Sequence, residues 1–143
     1  MNTLKIKQLS ENATLPTRSH PDDAGLDIYA SEETWVHEAA VMAVGTGIAV
    51  DIPAGYEGTI RPRSGRTLKS DLVVHLGTVD AGYTGEIKVL CGCRNRAVLT
   101  KVNPGDKIAQ LVISPIVTPA VEVVDNFNSD SQRGTNGFGS TDS

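Results

Sequence analysis

Short apolar segments separated by turn residues dominate the chain, and helical periodicity is hard to find in it. The apolar segments with a strand-like pattern are residues 4–7, 47–52, 86–90, 97–99 and 108–113. Gly, Pro, Asn and Asp concentrate between them, at residues 53–55, 81–82, 95–96 and 103–106. Many short strands at this spacing predict an all-β sandwich, jelly roll or barrel. Only residues 66–70 favour a short helix.

The end of the chain differs in kind from the rest. From Asp125 onward it is polar, rich in Gly and without periodicity, which is typical of a flexible tail. Yet both phenylalanines of the protein, Phe127 and Phe138, lie in this tail. We therefore predict one folded domain over residues 1–124 and a C-terminal arm over residues 125–143 whose phenylalanines have specific targets. A disordered tail without a role is the alternative.

Composition and charge narrow the classes of function. The chain has 143 residues and a net charge of −4, which argues against broad binding to a nucleic-acid backbone but allows a small phosphorylated ligand. The longest apolar run, residues 39–44, is far shorter than a membrane span, and no signal sequence opens the chain. We expect a soluble, cytoplasmic protein. Cys91 and Cys93 are predicted to be two reduced thiols on one face of a strand, with a redox pair as the alternative.

Positive charge is densest between Arg61 and Lys69, where four cations and no acid occur. Within this segment, Ser64 and Gly65 are small enough for backbone N–H groups to approach an anion, and Arg63 can present a fork of donors. The segment is either a phosphate site or an exposed basic turn.

Two acidic or amide side chains interrupt apolar strand patterns. Asp27 lies within AGLDIYA and Gln110 within GDKIAQLVI. A polar group in a strand of this kind needs a partner when it is buried. For Asp27, a structural and a functional interpretation both stay open.

A further pair of residues flanks the predicted tight turn at 81–82. Asp80 and Tyr83 are expected to face one another across a hairpin. A carboxylate beside a phenol there can serve as a general base and a platform for a ring, or the turn can be an ordinary one. In the arm, RGTNGFGST has the composition of a lid that wraps phosphates.

Taken in order, these segments resemble the five motifs of the trimeric dUTPase family. The matching segments are AGLDIYA, PRSG, GTVDAGYTGE, GDKIAQLVI and RGTNGFGST, and the resemblance covers residues 22–141. It implies a distorted jelly-roll subunit of the β-clip type and a threefold homotrimer with shared active sites, to which the arm of a neighbour contributes. It also implies hydrolysis of dUTP to dUMP and pyrophosphate by water attack on the α-phosphorus. That reaction limits uracil incorporation into DNA and supplies dUMP for dTMP synthesis.

The resemblance assigns roles by position. Asp80 matches the general base, and Tyr83 matches the residue whose ring lies under deoxyribose and excludes a 2′-hydroxyl. Asp27 resembles the residue that supports the arrangement of metal, water and phosphate around Mg²⁺, which the triphosphate and waters hold without a direct protein ligand. The other substrate-binding positions are Arg63, Ser64, Gly65, Gly77, Val79, Lys88, Gln110, Arg133, Phe138, Gly139, Ser140 and Thr141. Phe138 is expected to stack on uracil.

Two alternative functions stay open on the sequence. A dCTP deaminase shares the fold and part of the motif set, but lacks a complete arm of the RGxxGFGS type. A regulatory protein that keeps the nucleotide fold belongs to another class. Gly82 stands between the general base and the tyrosine, where many members carry an acid, and this resembles phage and Gram-positive bacterial members. A phage-encoded member could have a regulatory protein partner.

Overall fold

The computed structural model describes residues 1–37, 40–95 and 97–139, and within these ranges it is almost entirely β-structure. The strands are β1 Lys5–Gln8, β2 Gly25–Tyr29, β3 Thr34–Val36, β4 Met42–Gly45, β5 Ile48–Asp51, β6 Tyr56–Arg61, β7 Leu72–Val74, β8 Gly77–Val79, β9 Lys88–Cys93, β10 Thr100–Val102 and β11 Lys107–Pro115. A single short helix, α1, spans Ser64–Lys69 in the described part of the chain. The predicted all-β class is confirmed.

The strands form four antiparallel sheets. The largest has the order β2-β11-β6-β8, and a second has the order β4-β9-β7. Two further sheets are the pairs β1-β5 and β3-β10. β11 is the longest strand and pairs along its length with β2 and β6, so it organises the sheet that carries most of the candidate residues. No helix in the described part of the chain is long and apolar enough to cross a membrane.

The core is aliphatic, as the lack of Phe in the body of the sequence requires. Its largest fully buried side chains include Ile28, Ile52, Ile108 and Leu111. Burial of each such side chain contributes roughly 1.5–3 kcal/mol. Because β2, β5 and β11 supply or adjoin these residues, the core fixes the strands that bear the candidate site.

The strand prediction at residues 97–99 is wrong. Strand β10 begins at Thr100, and the preceding residues turn instead. The side chain of Asn95 accepts a hydrogen bond from the backbone N–H of Ala97 at 2.9 Å, and its carbonyl accepts one from Val98 at 3.4 Å. A local Asn turn therefore outcompetes the apolar pattern.

The hairpin prediction is half right. The tight turn at 81–82 exists, because the N–H of Tyr83 donates to the carbonyl of Asp80 at 3.2 Å and Gly82 has a φ of 84°. However, β8 pairs with β6, whereas β9 pairs with β4 and β7. The turn thus connects two different sheets, and the flanking residues do not face one another across a ladder.

The chain beyond β11 is exposed along most of its described length. Val117, Val121, Val123 and Phe127 are each more than four-fifths exposed. Isolated apolar side chains on a surface are ordinary, but a run of them along one extended segment is typical of a surface that binds something. The division at residue 124 remains a prediction.

Both cysteines lie on β9, as expected, and neither forms a disulfide. Cys91 is fully buried and Cys93 only partly so. Burial raises the pKa of the Cys91 thiol to about 11, although the nearby Arg66 guanidinium opposes the shift. A thiol with this pKa is almost wholly protonated at neutral pH and therefore a poor nucleophile.

We expect iodoacetamide at pH 8 to leave Cys91 unmodified in the folded protein, because about one thiol in a thousand would be ionised and burial blocks access. Peptide mass spectrometry after brief labelling should assign any modification to Cys93. Labelling in denaturant is the control and should modify both residues. Equal labelling of Cys91 and Cys93 in the folded protein would contradict the assignment.

Candidate active site

The basic turn, β2 and β11 enclose a polar cavity of about 270 Å³. Five residues predicted from the sequence meet in its lining: Asp27, Arg63, Ser64, Gly65 and Gln110. Ser19, Asp23, Ala24 and Gly25 complete it. We call it the phosphate cavity, because its chemistry is that of a site for an anion.

Asp27 is the electrostatic centre of the phosphate cavity. Its side chain is only 11% exposed. Oδ1 accepts a hydrogen bond from Nε of Arg63 at 2.8 Å, and Oδ2 lies 3.5 Å from Nζ of Lys107. Oγ of Ser19 also donates to Oδ2, at 3.2 Å. Two cations and one hydroxyl group thus satisfy the buried carboxylate of Asp27, and Asp23 adds a second carboxylate to the cavity lining.

Sequence reasoning missed Lys107 in this cluster. It lies in the segment GDKIAQLVI, at the start of β11, opposite Tyr29 in the register with β2. A cation next to an apolar strand is common in sequences. Only the distance between Lys107 and Asp27 shows that Lys107 belongs to this cluster.

Gln110 joins β11 to the basic turn. The β11 register places it opposite Asp27 on one side and Arg61 on the other. Its Nε2 donates to the carbonyl of Pro62 at 2.9 Å. Gly25 lies beside it, and a methyl group there would overlap Oε1 of Gln110. The amide that interrupts this aliphatic strand is therefore partnered, and it fixes the backbone just before Arg63.

The basic turn leads directly into α1. Arg63 precedes the helix in an extended conformation, with φ of −97° and ψ of 135°. The first N–H groups of a helix have no partner within it, and here the first two helical residues are Ser64 and Gly65. A methyl group built on Gly65 would meet no atom within 4 Å, so the space beside this backbone is open to a ligand.

A second cavity of about 310 Å³ lies beside the turn that joins β8 to β9. We call it the base cavity, because its lining includes Asp80, the residue predicted to be the general base. The residues predicted from the sequence that line it are Gly77, Val79, Asp80, Tyr83 and Lys88. Six further residues complete the lining: Ile60, His75, Thr78, Glu86, Ile87 and Leu90. Thr78 and Glu86 lie inside the third motif and could have been named with it, whereas nothing in the sequence singles out His75.

Asp80 and Tyr83 differ in how they are held. The side chain of Asp80 is exposed, so its carboxylate can reach a water molecule. Tyr83 is 48% exposed, and its hydroxyl donates to the carbonyl of Glu86 at 3.0 Å. β8, which leads into the turn, is an edge strand of its sheet. An edge strand has backbone N–H and C=O groups without partners in the sheet, and these can bind a flat polar ligand.

The arm does not contribute to either cavity in the described part of a single chain. Arg133 and Phe138 are exposed, and Nε of Arg133 donates only to the nearby carbonyl of Asn136, at 2.8 Å. Gly139 is also exposed. Ser140 and Thr141 lie outside the described residues. The two cavities share no lining residue.

The fold and the two cavities define a class: an all-β protein that binds a phosphorylated ligand and carries an exposed carboxylate able to activate water. The dUTPase family model matches residues 11–142. The chain belongs to the dUTPase family.

Individual relatives agree with this family. The chain is 44% identical to the deoxyuridine 5′-triphosphate nucleotidohydrolase of Clostridium tetani, over 97% of this chain and 96% of the relative. It is similar in structure to the dUTPase of Staphylococcus bacteriophage 80alpha, a G164S mutant bound to dUpNHpp, with a TM-score of 0.92, 34% identity and 99% of each chain covered. The D95N mutant dUTPase of Staphylococcus aureus phage phi11 has a TM-score of 0.83 and 35% identity, over 90% of this chain and all of that one, and its structure concerns the coordination of a structural Mg(II) ion. The likeness to these dUTPases confirms the distorted jelly roll.

We expect Asp27→Ala to destabilise the fold by about 1–3 kcal/mol, because Arg63 and Lys107 lose their common partner in a poorly solvated cluster. Asp27→Asn should be milder, since it keeps the shape and one acceptor oxygen. Urea unfolding measures both. The control is Glu33→Ala, which breaks the exposed pair with Lys101 at 3.1 Å. A loss of unfolding free energy in Glu33→Ala as large as that in Asp27→Ala would contradict the conclusion that Asp27 holds this cluster together.

Proposed function

We propose that this protein hydrolyses dUTP to dUMP and pyrophosphate by attack of water on the α-phosphorus. The observation that carries the proposal is the position of the family motifs: four of the five line two cavities with complementary chemistry. One cavity offers an arginine, an amide and small residues suited to phosphates. The other offers an edge strand, a phenol and an exposed carboxylate suited to a nucleoside and its attacking water.

In the base cavity, uracil would pair with backbone groups of β8 at Gly77 and Val79. An edge strand presents donors and acceptors in fixed alternation, and this distinguishes uracil from cytosine, whose pattern differs. The ring of Tyr83 would lie under deoxyribose and leave no room for a 2′-hydroxyl. Asp80 would accept the proton of the attacking water. Lys88, a cation in the same lining, would stabilise the charge of the phosphates.

In the phosphate cavity, the triphosphate would bind to Arg63, Ser64, Gly65 and Gln110. The Nε atom of Arg63 is committed to Asp27, so the terminal guanidinium nitrogens are the ones that can face the ligand. Asp27 would then act without contact to the substrate, by orienting the side chain of Arg63. Strong donors surround both carboxylate oxygens of Asp27 and hold its cationic partner Arg63 in one orientation. The guanidinium would therefore meet the phosphate groups from a defined direction.

The metal of this reaction would be Mg²⁺, and the residues present fit binding of the ion through waters and substrate phosphates. Both oxygens of Asp27 are already occupied: they accept hydrogen bonds from Ser19 and Arg63, and Oδ2 forms an ion pair with Lys107. A metal that took this carboxylate directly would have to displace these partners. Mg²⁺ retains several waters and commonly binds through substrate phosphates, so Asp27 would support it through water. When bound, the ion would neutralise phosphate charge.

The active site would be shared between copies in a homotrimer. The support is that no residue lines both cavities and that the described arm lines neither. We therefore propose that a second chain brings one cavity to the other and so completes the site. The chain between the end of β11 and the fifth motif is long enough for this, because the eighteen steps from Pro115 to Arg133 can span roughly 60 Å when extended. Arg133, Phe138, Gly139, Ser140 and Thr141 would close over the nucleotide, with Phe138 on uracil. A regulatory protein partner stays a prediction.

We expect Asp80→Asn to lower kcat for dUTP about 10²- to 10⁴-fold while dUTP still binds, because an amide cannot accept the proton of the attacking water. Pyrophosphate release with Mg²⁺ measures kcat, and calorimetry with a non-hydrolysable dUTP analogue measures binding. Asp51→Asn, an exposed position on β5, is the control and should behave as wild type. An unchanged kcat for Asp80→Asn would remove Asp80 from its role. Ammonia release from dCTP by the wild type would overturn the reaction itself.

Deletion of residues 133–143 should reduce kcat/KM for dUTP by about 10²-fold or more, because the substrate loses its lid and its stacking partner. The mass of the truncated protein should remain that of a trimer, measured by light scattering. The substitution Phe138→Ala separates stacking from closure and should give a smaller loss. Full activity of the truncated protein would refute the lid.

A further inference from the structure

The glutamate that ends the third motif binds a part of the chain far away in sequence. Oε2 of Glu86 accepts hydrogen bonds from the backbone N–H groups of Thr46 at 3.2 Å and Gly47 at 3.3 Å. These two residues form the turn between β4 and β5. A carboxylate bound to two backbone donors makes charge-assisted hydrogen bonds, which are stronger than neutral ones.

The residue after Glu86 strengthens this attachment. The N–H of Ile87 donates to the carbonyl of Ile48 at 2.8 Å, and Oγ1 of the fully buried Thr46 donates to the carbonyl of Ile87 at 2.5 Å. Residues 86 and 87 are therefore fixed by four hydrogen bonds, three to the β4–β5 turn and one to the start of β5. The peptide group of Glu86 is a rigid point on the border of the base cavity.

Tyr83 uses that rigid point as its support. Its hydroxyl donates to the backbone carbonyl of Glu86 at 3.0 Å. Its ring packs against Gly85, where a methyl group would lie 2.5 Å from Oη and 2.7 Å from Cζ. Since the ring is half exposed, these two neighbours contribute much of what sets its position.

We infer that Glu86 is a positioning residue for sugar discrimination: its carboxylate anchors the peptide that holds the Tyr83 ring. This rests on the proposed function, in which that ring leaves no room for a 2′-hydroxyl. To exclude a single hydroxyl oxygen, the position of the Tyr83 ring must be fixed to within a fraction of the radius of that oxygen atom. When the anchor is lost, the ring gains freedom to move away, and a ribonucleotide can enter.

Glu32 provides a matched control at the same place. Its Oε1 and the Oε2 of Glu86 lie 2.9 and 2.7 Å from the position that a methyl group on Gly45 would take, so both carboxylates border the same glycine. Of these two carboxylates, only that of Glu86 accepts hydrogen bonds from the β4–β5 turn in the described part of the chain. A substitution at Glu32 therefore changes local charge without removing the anchor.

The experiment compares kcat/KM for dUTP with kcat/KM for UTP in the full chain. We expect E86A to lower this ratio roughly five- to tenfold, mainly through a gain with UTP, because the two hydrogen bonds of the carboxylate to Thr46 and Gly47 are lost. E86Q keeps one acceptor oxygen and should restore most of the ratio. E32Q should leave it unchanged. Y83A sets the largest loss of discrimination that the ring can cause.

Y83F breaks the same connection at its other end, so it serves as the test even where E86A does not fold. The ratio should fall in Y83F, and E86A combined with Y83F should add little, because both substitutions release the same ring. A wild-type ratio in E86A and in Y83F, with or without a lower melting temperature, overturns the anchor while dUTP hydrolysis stands. Lack of dUTP turnover by the wild type refutes the proposed function and the inference with it.

Discussion

The buried charge of Asp27 is the constraint on which the rest of the site depends. A carboxylate inside an aliphatic sheet is costly unless strong donors surround it. Those donors come from the loop before β2, from the residue just before α1 and from the start of β11. Satisfying one charge therefore brings three distant segments of the chain together. The same arrangement orients the Arg63 guanidinium, a group suited to binding phosphates.

The base cavity depends on a different constraint, which is the way the chain leaves β8. The turn at 81–82 sends it to a second sheet, where the β4–β5 turn binds residues 86 and 87. β8 consequently stays an edge strand, and its backbone groups remain available to a base. The two cavities thus have independent structural origins.

Much of the candidate site could be predicted from the sequence, because its chemistry depends on residue type. Asp27, Arg63 and Gln110 were predicted from polar or basic residues in unexpected contexts, and the structure gives each a specific partner. Lys107 and Glu86 were not singled out, since a lysine or a glutamate in a β-protein is ordinary until its partner is known. The strand at 97–99 was wrong because a side-chain turn at Asn95 competes locally with the apolar pattern.

By itself the sequence determined the all-β class, the order of the motifs and the chemical identity of the groups, because these follow from composition, short-range periodicity and residue type. Only the tertiary structure decided which groups meet. It shows that Asp80 and Tyr83 lie on a turn between sheets and not on a hairpin, and that the predicted site residues outside the arm line two separate cavities. The physical reason is that strand pairing is a long-range choice, set by burial and by the partners of polar groups, which local pattern does not encode.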